Sequence, residues 1–383
     1  MAEGSKILQA ARTLDDFVVR QFRGLSGLSL RQLGLANLLV GGNNSGKTSV
    51  LEALAVFSSP LDIAAWSTVA RNREVRGLVI PRAGLTAVEA VRWLFPQRSD
   101  DLSKNGEVKS YFHLECDGRL TVRELHANCI SIRGIPPEPP RLSRRDRPEV
   151  SGLIEDQGWL VSAEVLPSGG LASNASVEVQ LWPSVGFYRG ERGTGPHIRT
   201  TMLAPYSHRN QPLQLRNLSE LIETDEKLAP IELLRELDPD VLDLQIITDK
   251  YTGAPTILVK HRRSGAVPLS VLGDGFRRAL AIALSIPRSR GGLLLIDEIE
   301  TALHVSFLGK LFTWLIQACE NFNVQLFATT HSLEAVSAMA NATPDGLPDA
   351  VTAYHLASMG EPTKRYSSEM LSRLVRDRGL DIR

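Results

Sequence analysis

Eight consecutive residues, Gly41-Gly42-Asn43-Asn44-Ser45-Gly46-Lys47-Thr48, have the form GxxxxGK[ST]. Glycines at these places let the backbone curl until successive N–H groups face one anion, and a helix opening at the end of the loop adds the positive end of its dipole. A lysine there offers a point charge to β- and γ-phosphates, and the hydroxyl after it suits Mg²⁺. Only nine of the 43 basic residues are lysines, so Lys47 stands out against an arginine background.

A phosphate loop needs a magnesium carboxylate at the tip of a neighbouring strand. The run Leu293-Leu294-Leu295-Ile296-Asp297-Glu298 provides one: four apolar residues bury the strand and Asp297 emerges at its end. Glu298, directly after it, is placed to polarise a water that attacks a γ-phosphate in line. His331, in FATTHS, ends a further apolar strand on the carboxyl edge where ligands bind in parallel sheets, and could report a γ-phosphate by a hydrogen bond. The fourth element is Leu272-Gly273-Asp274-Gly275-Phe276-Arg277-Arg278, whose glycines open a helix and so make a second anion-receptive N-terminus.

The elements that must position these residues follow from the apolar pattern. Phe17 to Val40 reads as strands broken by a turn around Gly24 and Gly27, the last of them feeding the phosphate loop. Val50, Leu51, Leu54 and Phe57 recur at helical spacing, and Pro60 ends that helix. Residues 60–100 are helical and irregular; 107–133 and 159–189 alternate as antiparallel strands around a Pro- and Arg-rich connector at 135–148. A helical stretch at 216–237 and a strand pair at 241–248 and 256–260 precede the helix that opens at the second glycine loop and that Pro287 terminates. Strand 293–296, helix 304–320, the strand in VQLFATTHS and a helix capped by Ser332 then alternate as parallel α/β structure. The predicted division is 1–100 with the phosphate loop, 101–215 as a strand-rich insertion and 216–383 with the remaining motifs.

Composition narrows the class. With 383 residues, 43% hydrophobic, 22% charged and no net charge, the chain is an ordinary globular one, and neither disordered nor a polybasic nucleic-acid glove. Three cysteines without CxxC spacing indicate neither a disulfide framework nor a cysteine-type zinc site. The start lacks a signal-peptide pattern and the longest apolar runs are far below the ~18 residues of a spanning helix, so a soluble, cytoplasmic protein with no membrane contact is expected.

Taken in order, FRGLSGLSLRQLGLANLLVGGNNSGKTSVLEAL, LGDGF, LLLIDEIETALH, VQLFATTHS and the ending YSSEMLSRLVRDRGLDIR resemble the ATP-binding-cassette type of P-loop ATPase, and within it the OLD-like AAA ATPases, relatives of RecF and SMC proteins. The resemblance covers about 1–60 and 266–383. It implies an α/β P-loop NTPase fold, with a mixed sheet flanked by helices, a β-rich N-terminal lobe and an inserted subdomain. It also implies ATP and Mg²⁺ as ligands, with Gly41 to Thr48 and Ser49 as the Walker A loop, Thr48 and Asp297 on the metal, and Glu298, His331 and Lys47 as catalytic residues. Residues 300–304 would be the D-loop, and Gly273, Asp274 and Gly275 the signature loop that reaches the nucleotide of a second subunit, so that a dimer is the smallest competent assembly. Gly273 and Asp274 stand where a transporter signature has serine and glycine, so backbone amides, Arg277 or Arg278 would replace the hydroxyl contact; Gln97 is a candidate for the Q-loop, although a solvated helix end suits it better.

Only 52 residues follow His331, too few for the TOPRIM nuclease of many OLD proteins. The expected role is therefore the ATPase subunit of a bacterial anti-phage defence system controlling a separate nuclease or toxin, with a neighbouring gene product docking on 100–215. The alternatives are a RecF-like ATPase that clamps DNA directly, for which Arg141, Arg144, Arg145 and Arg147 would be the contact, and a nucleotide-locked scaffold that scarcely turns over.

Overall fold

The computed structural model describes residues 12–73, 86–97, 109–136, 155–168, 174–184, 186–189, 195–248, 253–342, 350–357 and 362–374. Most of the connector at 135–148, with its four arginines, and the last residues of the chain lie outside them. Along the chain the strands are β1 (Leu14–Phe22), β2 (Leu25–Leu30), β3 (Ala36–Val40), β4 (Lys109–Gly118), β5 (Val122–Gly134), β6 (Asp156–Pro167), β7 (Ala175–Trp182), β8 (Gly186–Arg189), β9 (Thr200–Leu203), β10 (Val241–Thr248), β11 (Pro255–His261), β12 (Gly265–Pro268), β13 (Leu293–Ile296), β14 (Gln325–Thr329), β15 (Val351–His355) and β16 (Lys364–Ser367). The helices are α1 (Lys47–Ser58), α2 (Ile63–Arg71), α3 (Ala87–Arg92), α4 (Gln211–Glu223), α5 (Leu228–Leu237), α6 (Asp274–Arg288), α7 (Val305–Asn321), α8 (Leu333–Asn341) and α9 (Ser368–Ser372).

The chain divides into two units: Met1–Asp15, Leu30–Leu51 and Arg199–Arg383 form one, and Asp16–Ser29 with Glu52–Ile198 the other. The first unit is built on a six-stranded sheet of order β16-β15-β3-β14-β13-β9. Strands β15, β3, β14, β13 and β9 are parallel, and only the edge strand β16 runs against its neighbour. Residues of β3, β13 and β14 are buried throughout, as the unbroken apolar runs LLV, LLLI and LFA require of strands covered on both faces. Helix α6 packs as a wholly buried element from Arg278 to Pro287, and Pro287 sits within its last turn, so the helix closes one residue later than expected, at Arg288. Ser332 caps α8 by accepting the Ala335 amide. A separate antiparallel sheet of order β10-β11-β12 completes this unit, its third strand being one that the apolar pattern did not disclose.

Two buried amide side chains tie the sheet's lower edge together. Gln325 accepts the Thr13 and Leu14 amides at 3.2 and 2.9 Å and donates to the Leu14 and Gly34 carbonyls at 2.8 and 2.9 Å. Asn37 accepts the Gly34 amide and donates to the carbonyls of Gly34 and Leu326. Fully satisfied amides of this kind hold β3 and β14 in one register where irregular backbone meets the sheet.

The second unit is a seven-stranded sheet of order β2-β1-β4-β5-β6-β7-β8 with α2 and α3 beside it. Its packing centres on Phe112, whose ring lies 5.4, 5.3 and 4.9 Å from those of Phe22, Trp66 and Phe95. That aromatic nucleus explains why the boundaries differ from those expected. Residues 52–73 and 86–97 pack with the strand-rich region through Trp66 and Phe95, and β9 leaves it because it pairs with β13.

Glu52 is the charged centre of the second unit. Its side chain is fully buried, with the Arg23 Nε 2.8 Å away and the Arg73 Nε and Nη2 donating at 2.7 and 2.6 Å. Burial pulls the Arg23 guanidinium below its ordinary pKa, with Glu52 opposing that shift. Glu52→Gln should lower unfolding stability in urea by about 3 kcal/mol, the cost of leaving a buried charge without its partner. Arg73→Lys, on the exposed side of the pair, should cost about 1 kcal/mol or less.

Candidate functional site

The loop Gly41–Thr48 joins the carboxyl end of β3 to α1, whose first turn contains no acidic residue. Gly41 has φ 144°, and a Cβ there would lie 2.4 Å from the Leu356 carbonyl oxygen, so the tight turn out of the strand requires glycine. Asn44 adopts φ 62° at the exposed crest. The Lys47 ammonium folds back over its own loop and donates to the carbonyls of Gly41 and Gly42 at 2.7 and 2.8 Å. Lys47 is 5% exposed, and burial lowers its pKa against the opposing pull of Asp297, Glu298 and Glu300. Ser49 lies in the first turn of α1.

Parallel pairing of β3 with β14 and of β14 with β13 brings the acidic pair to the same edge. The Thr48 hydroxyl lies 3.1 Å from both carboxylate oxygens of Asp297, across a separation of 249 residues. Asp297 is itself fixed from β14: the Thr329 hydroxyl donates to its Oδ1 at 2.6 Å and accepts the Glu298 amide at 2.8 Å. Glu298 has φ 45°, a left-handed conformation that an L residue holds at a cost of order 1–3 kcal/mol and that turns it out of the strand direction. Its Oε2 accepts the Thr301 hydroxyl at 3.1 Å.

His331 is exposed just beyond β14, and its backbone amide donates to Glu300 Oε1 at 2.9 Å. The other oxygen of Glu300 is buried and, among the described residues, makes no hydrogen bond. The four motifs that the sequence singles out thus lie in one unit, three of them at the carboxyl ends of adjacent parallel strands.

At the second glycine loop, Gly273 precedes α6 as its cap and Asp274 opens the helix. Asp274 Oδ2 accepts from Arg209 Nη2 at 2.7 Å, and this hydrogen bond holds its carboxyl below the usual range. A Cβ on Gly275 would meet the Ala302 carbonyl oxygen at 2.9 Å, which explains a bare residue there, while around Gly273 the space is open. Of the two arginines expected to reach outward, Arg278 does not. It is fully buried and donates to the carbonyls of Ala204, Asp297 and Glu298 at 2.7, 2.9 and 3.1 Å. Burial pushes it down to about 10, so it stays charged at neutral pH. Arg277 turns to the Leu269 and Ser270 carbonyls, with Asp274 Oδ1 3.5 Å away. Gln97 folds its amide back onto the Arg92 and Phe95 carbonyls, the behaviour of a helix end.

Thr329, two residues before His331, is a positioning residue that motif reading missed, and Arg278, expected to reach outward, holds the backbone of Asp297 and Glu298 instead.

Residues 187–337 match the family described as "AAA domain, putative AbiEii toxin, Type IV TA system". An uncharacterized protein of Methanocaldococcus jannaschii is 45% identical over 65 residues, 17% of this chain and 57% of that protein. An ATP/GTP phosphatase of Helicobacter pylori is 37% identical over 108 residues, 27% of this chain and 29% of that protein. The chain spans less than two thirds of the length of these curated relatives. Among solved structures, an SMC head bound to the C-winged helix domain of ScpA aligns over 93% of this chain and 98% of that one, with TM-score 0.46 and 13% identity. The SMC head domain from Thermotoga maritima aligns over 93% and 99%, with TM-score 0.40 and 11% identity. No helix among the described residues is long and apolar enough to cross a membrane.

Thr329→Val keeps the volume of a side chain that is 1% exposed but removes both hydrogen bonds. It should cost about 1–3 kcal/mol in unfolding stability, because the partly buried Glu298 amide and the Asp297 carboxylate each lose a hydrogen-bond partner. Thr329→Ser should restore most of that loss, and a melt of both variants reads the difference.

Proposed function

We propose that this protein binds ATP with Mg²⁺ on the edge formed by Gly41–Ser49, Asp297, Glu298 and His331, and hydrolyses the γ-phosphate. The observation that carries the reading is the meeting of the Thr48 hydroxyl with both oxygens of Asp297 beside a buried lysine at a helix start. A hydroxyl and a carboxylate are the donor set that Mg²⁺ takes beside phosphates, and the magnesium, when bound between Thr48 and Asp297, supplies neutralisation of phosphate charge. The fit also follows from Lys47. Its ammonium is held at the loop carbonyls at the cost of desolvation, so it is ready to exchange them for phosphate oxygens.

In this reading the loop amides of Gly42 to Thr48 take the phosphates, and Glu298 orients and deprotonates the attacking water. His331 donates to the γ-phosphate. The strained backbone at Glu298 supports its role, because such strain concentrates where a side chain must be aimed. Arg278 keeps both acidic residues in place through their carbonyls and does not meet nucleotide.

The signature loop completes the site of a second copy in the same reading. Open space around Gly273 favours a backbone approach by another molecule, with amides at the start of α6 replacing the missing hydroxyl. The wider role is that of an ATPase subunit controlling a separate nuclease or toxin. The family description for 187–337 names a putative toxin and a Type IV TA system, and the link of this ATPase to a toxin system rests on it.

Lys47→Ala should abolish binding of a fluorescent ATP analogue without changing the melting temperature, and Glu298→Gln should retain binding while hydrolysis slows ~10²-fold or more. Undiminished affinity in the first variant, or an unchanged kcat in the second, would overturn the assignment. ATP should also drive self-association of Glu298→Gln, measured by light scattering, and Gly273→Arg should block it. Gly273 is the better position for this test, since Asp274 already carries the Arg209 ion pair that a substitution there would break. A monomeric mass at saturating ATP would sink the two-copy site and leave the single-copy chemistry standing.

A further inference from the structure

The second unit carries a cluster of ligating side chains that the nucleotide chemistry does not use. Along β4, Phe112, Leu114 and Cys116 are buried, so alternation turns His113 and Glu115 to the opposite, half-buried face. Along β5, Leu125 and Ala127 are buried, and Glu124 and His126 share the opposite face in the same way. The antiparallel register sets His113 across from His126 and Glu115 across from Glu124. His-x-Glu on one strand and Glu-x-His on the next thus become a compact square of two imidazoles and two carboxylates.

Two carboxylates directly opposite one another are destabilising unless a positive charge lies between or beside them. Arg20 meets this need for Glu115, donating to its two oxygens at 2.7 and 3.0 Å. Glu124 is left with the imidazoles: His126 Nε2 lies 3.1 Å and His113 Nε2 3.4 Å from the same Oε2. The two rings stack with centroids 3.8 Å apart, an arrangement in which two imidazolium charges would repel strongly. His113 Nε2 is buried and, among the described residues, makes no hydrogen bond that meets ordinary geometry. His113 Nε2 thus faces Glu115 and Glu124 at 3.3 and 3.4 Å, separations that a cation held between them would also give.

The distances fit a metal ion as that cation. A tetrahedral ion with bonds of about 2.0–2.1 Å to imidazole nitrogen and carboxylate oxygen separates its donor atoms by about 3.3–3.4 Å. The His113–Glu124, His113–Glu115 and His126–Glu124 separations are 3.4, 3.3 and 3.1 Å, and the ligating atoms of His113, Glu124 and His126 all lie within 4.8 Å of one another. The nearby thiols do not compete. Cys116 and Cys129 are buried, and burial pushes both up to about 12. The other group of possible ligands, Asp238, Asp240 and His261, is less suited, because Asp240 is already paired with Arg262 and Arg263.

We propose that His113, Glu124 and His126 bind a divalent transition-metal ion of the zinc class, with the fourth position taken by water beside Glu115. Two imidazoles and one carboxylate are a donor set that zinc accepts readily and magnesium does not. The site is therefore chemically separate from the Mg²⁺ edge at Thr48 and Asp297.

The test uses the full chain, stripped with a chelator and free of nucleotide, titrated with Zn²⁺ by calorimetry and with Co²⁺ by visible absorption. The wild type should take up a single ion of each, the Co²⁺ form showing the intense bands of tetrahedral coordination. His126→Gln and Glu124→Gln should each weaken uptake at least about tenfold and abolish the bands, whereas His261→Gln should behave as wild type. Metal-free melting temperatures check that the variants fold. Should His126→Gln misfold, the isosteric Glu124→Gln decides. No uptake at micromolar Zn²⁺, equal uptake by a His113→Gln/His126→Gln double variant, or loss confined to His261→Gln would each overturn the proposal.

Discussion

The Thr329 hydroxyl is the hinge on which the first unit's chemistry depends. It donates to Asp297 and accepts from the amide of Glu298, so one group sets both the position of the carboxylate and the direction in which the chain leaves β13. Without the carboxylate fixed there, the Thr48 hydroxyl would have no partner at the tip of β13, one strand beyond the β14 that separates it from β3. The phosphate loop and the acidic strand would then be two motifs on one sheet and not one site. The parallel register of β3, β14 and β13 is what makes that hydroxyl available, and Gln325 and Asn37 hold the register from the opposite end of the strands.

Charge is the second constraint. Asp297, Glu298 and Glu300 concentrate negative charge at the edge proposed to receive phosphates, and this would oppose binding if nothing balanced it. Lys47 and Arg278 provide the balance from two sides, and both have their pKa lowered by burial while the acidic residues pull it back up. The two cations have different freedom. Lys47 is a point charge on a flexible stem held by two loop carbonyls, which suits it to exchange partners. Arg278 has a rigid fork engaged with three carbonyls under full burial, which suits it to hold still.

Much of this edge was legible in the sequence, for a physical reason. The phosphate loop is contiguous, and its geometry is local: Gly41 and Asn44 supply the left-handed backbone that a loop gripping an anion needs. The acidic strand was legible because four apolar residues followed by two carboxylates admit few other placements. What escaped depends on pairing between distant segments. Strands β9, β12, β15 and β16 are only four or five residues long, and their short runs do not separate from loop until a partner strand is known. Arg278 looked outward-facing because it follows Arg277 in a polar-looking helix start, yet consecutive residues on a helix point about 100° apart and only one of the pair meets the core. The square of His113, Glu115, Glu124 and His126 was equally hidden, since no spacing along the chain announces a cross-strand register.

The same contrast between open and closed positions bears on how the site could sense a second molecule. Gly275 lies against the Ala302 carbonyl, and Ala302 itself holds φ 64° in the loop that follows Glu298 and Glu300. Neither loop can shift far without displacing the other, because the contact is backbone against a position that tolerates no side chain. Gly273, two residues earlier, faces open space. Pressure on the free end of the GDG loop would thus be carried through its closed end to the loop of Glu300, whose carboxylate holds the amide of His331. The route is short, runs within one unit, and ends on His331, the residue proposed to read the γ-phosphate.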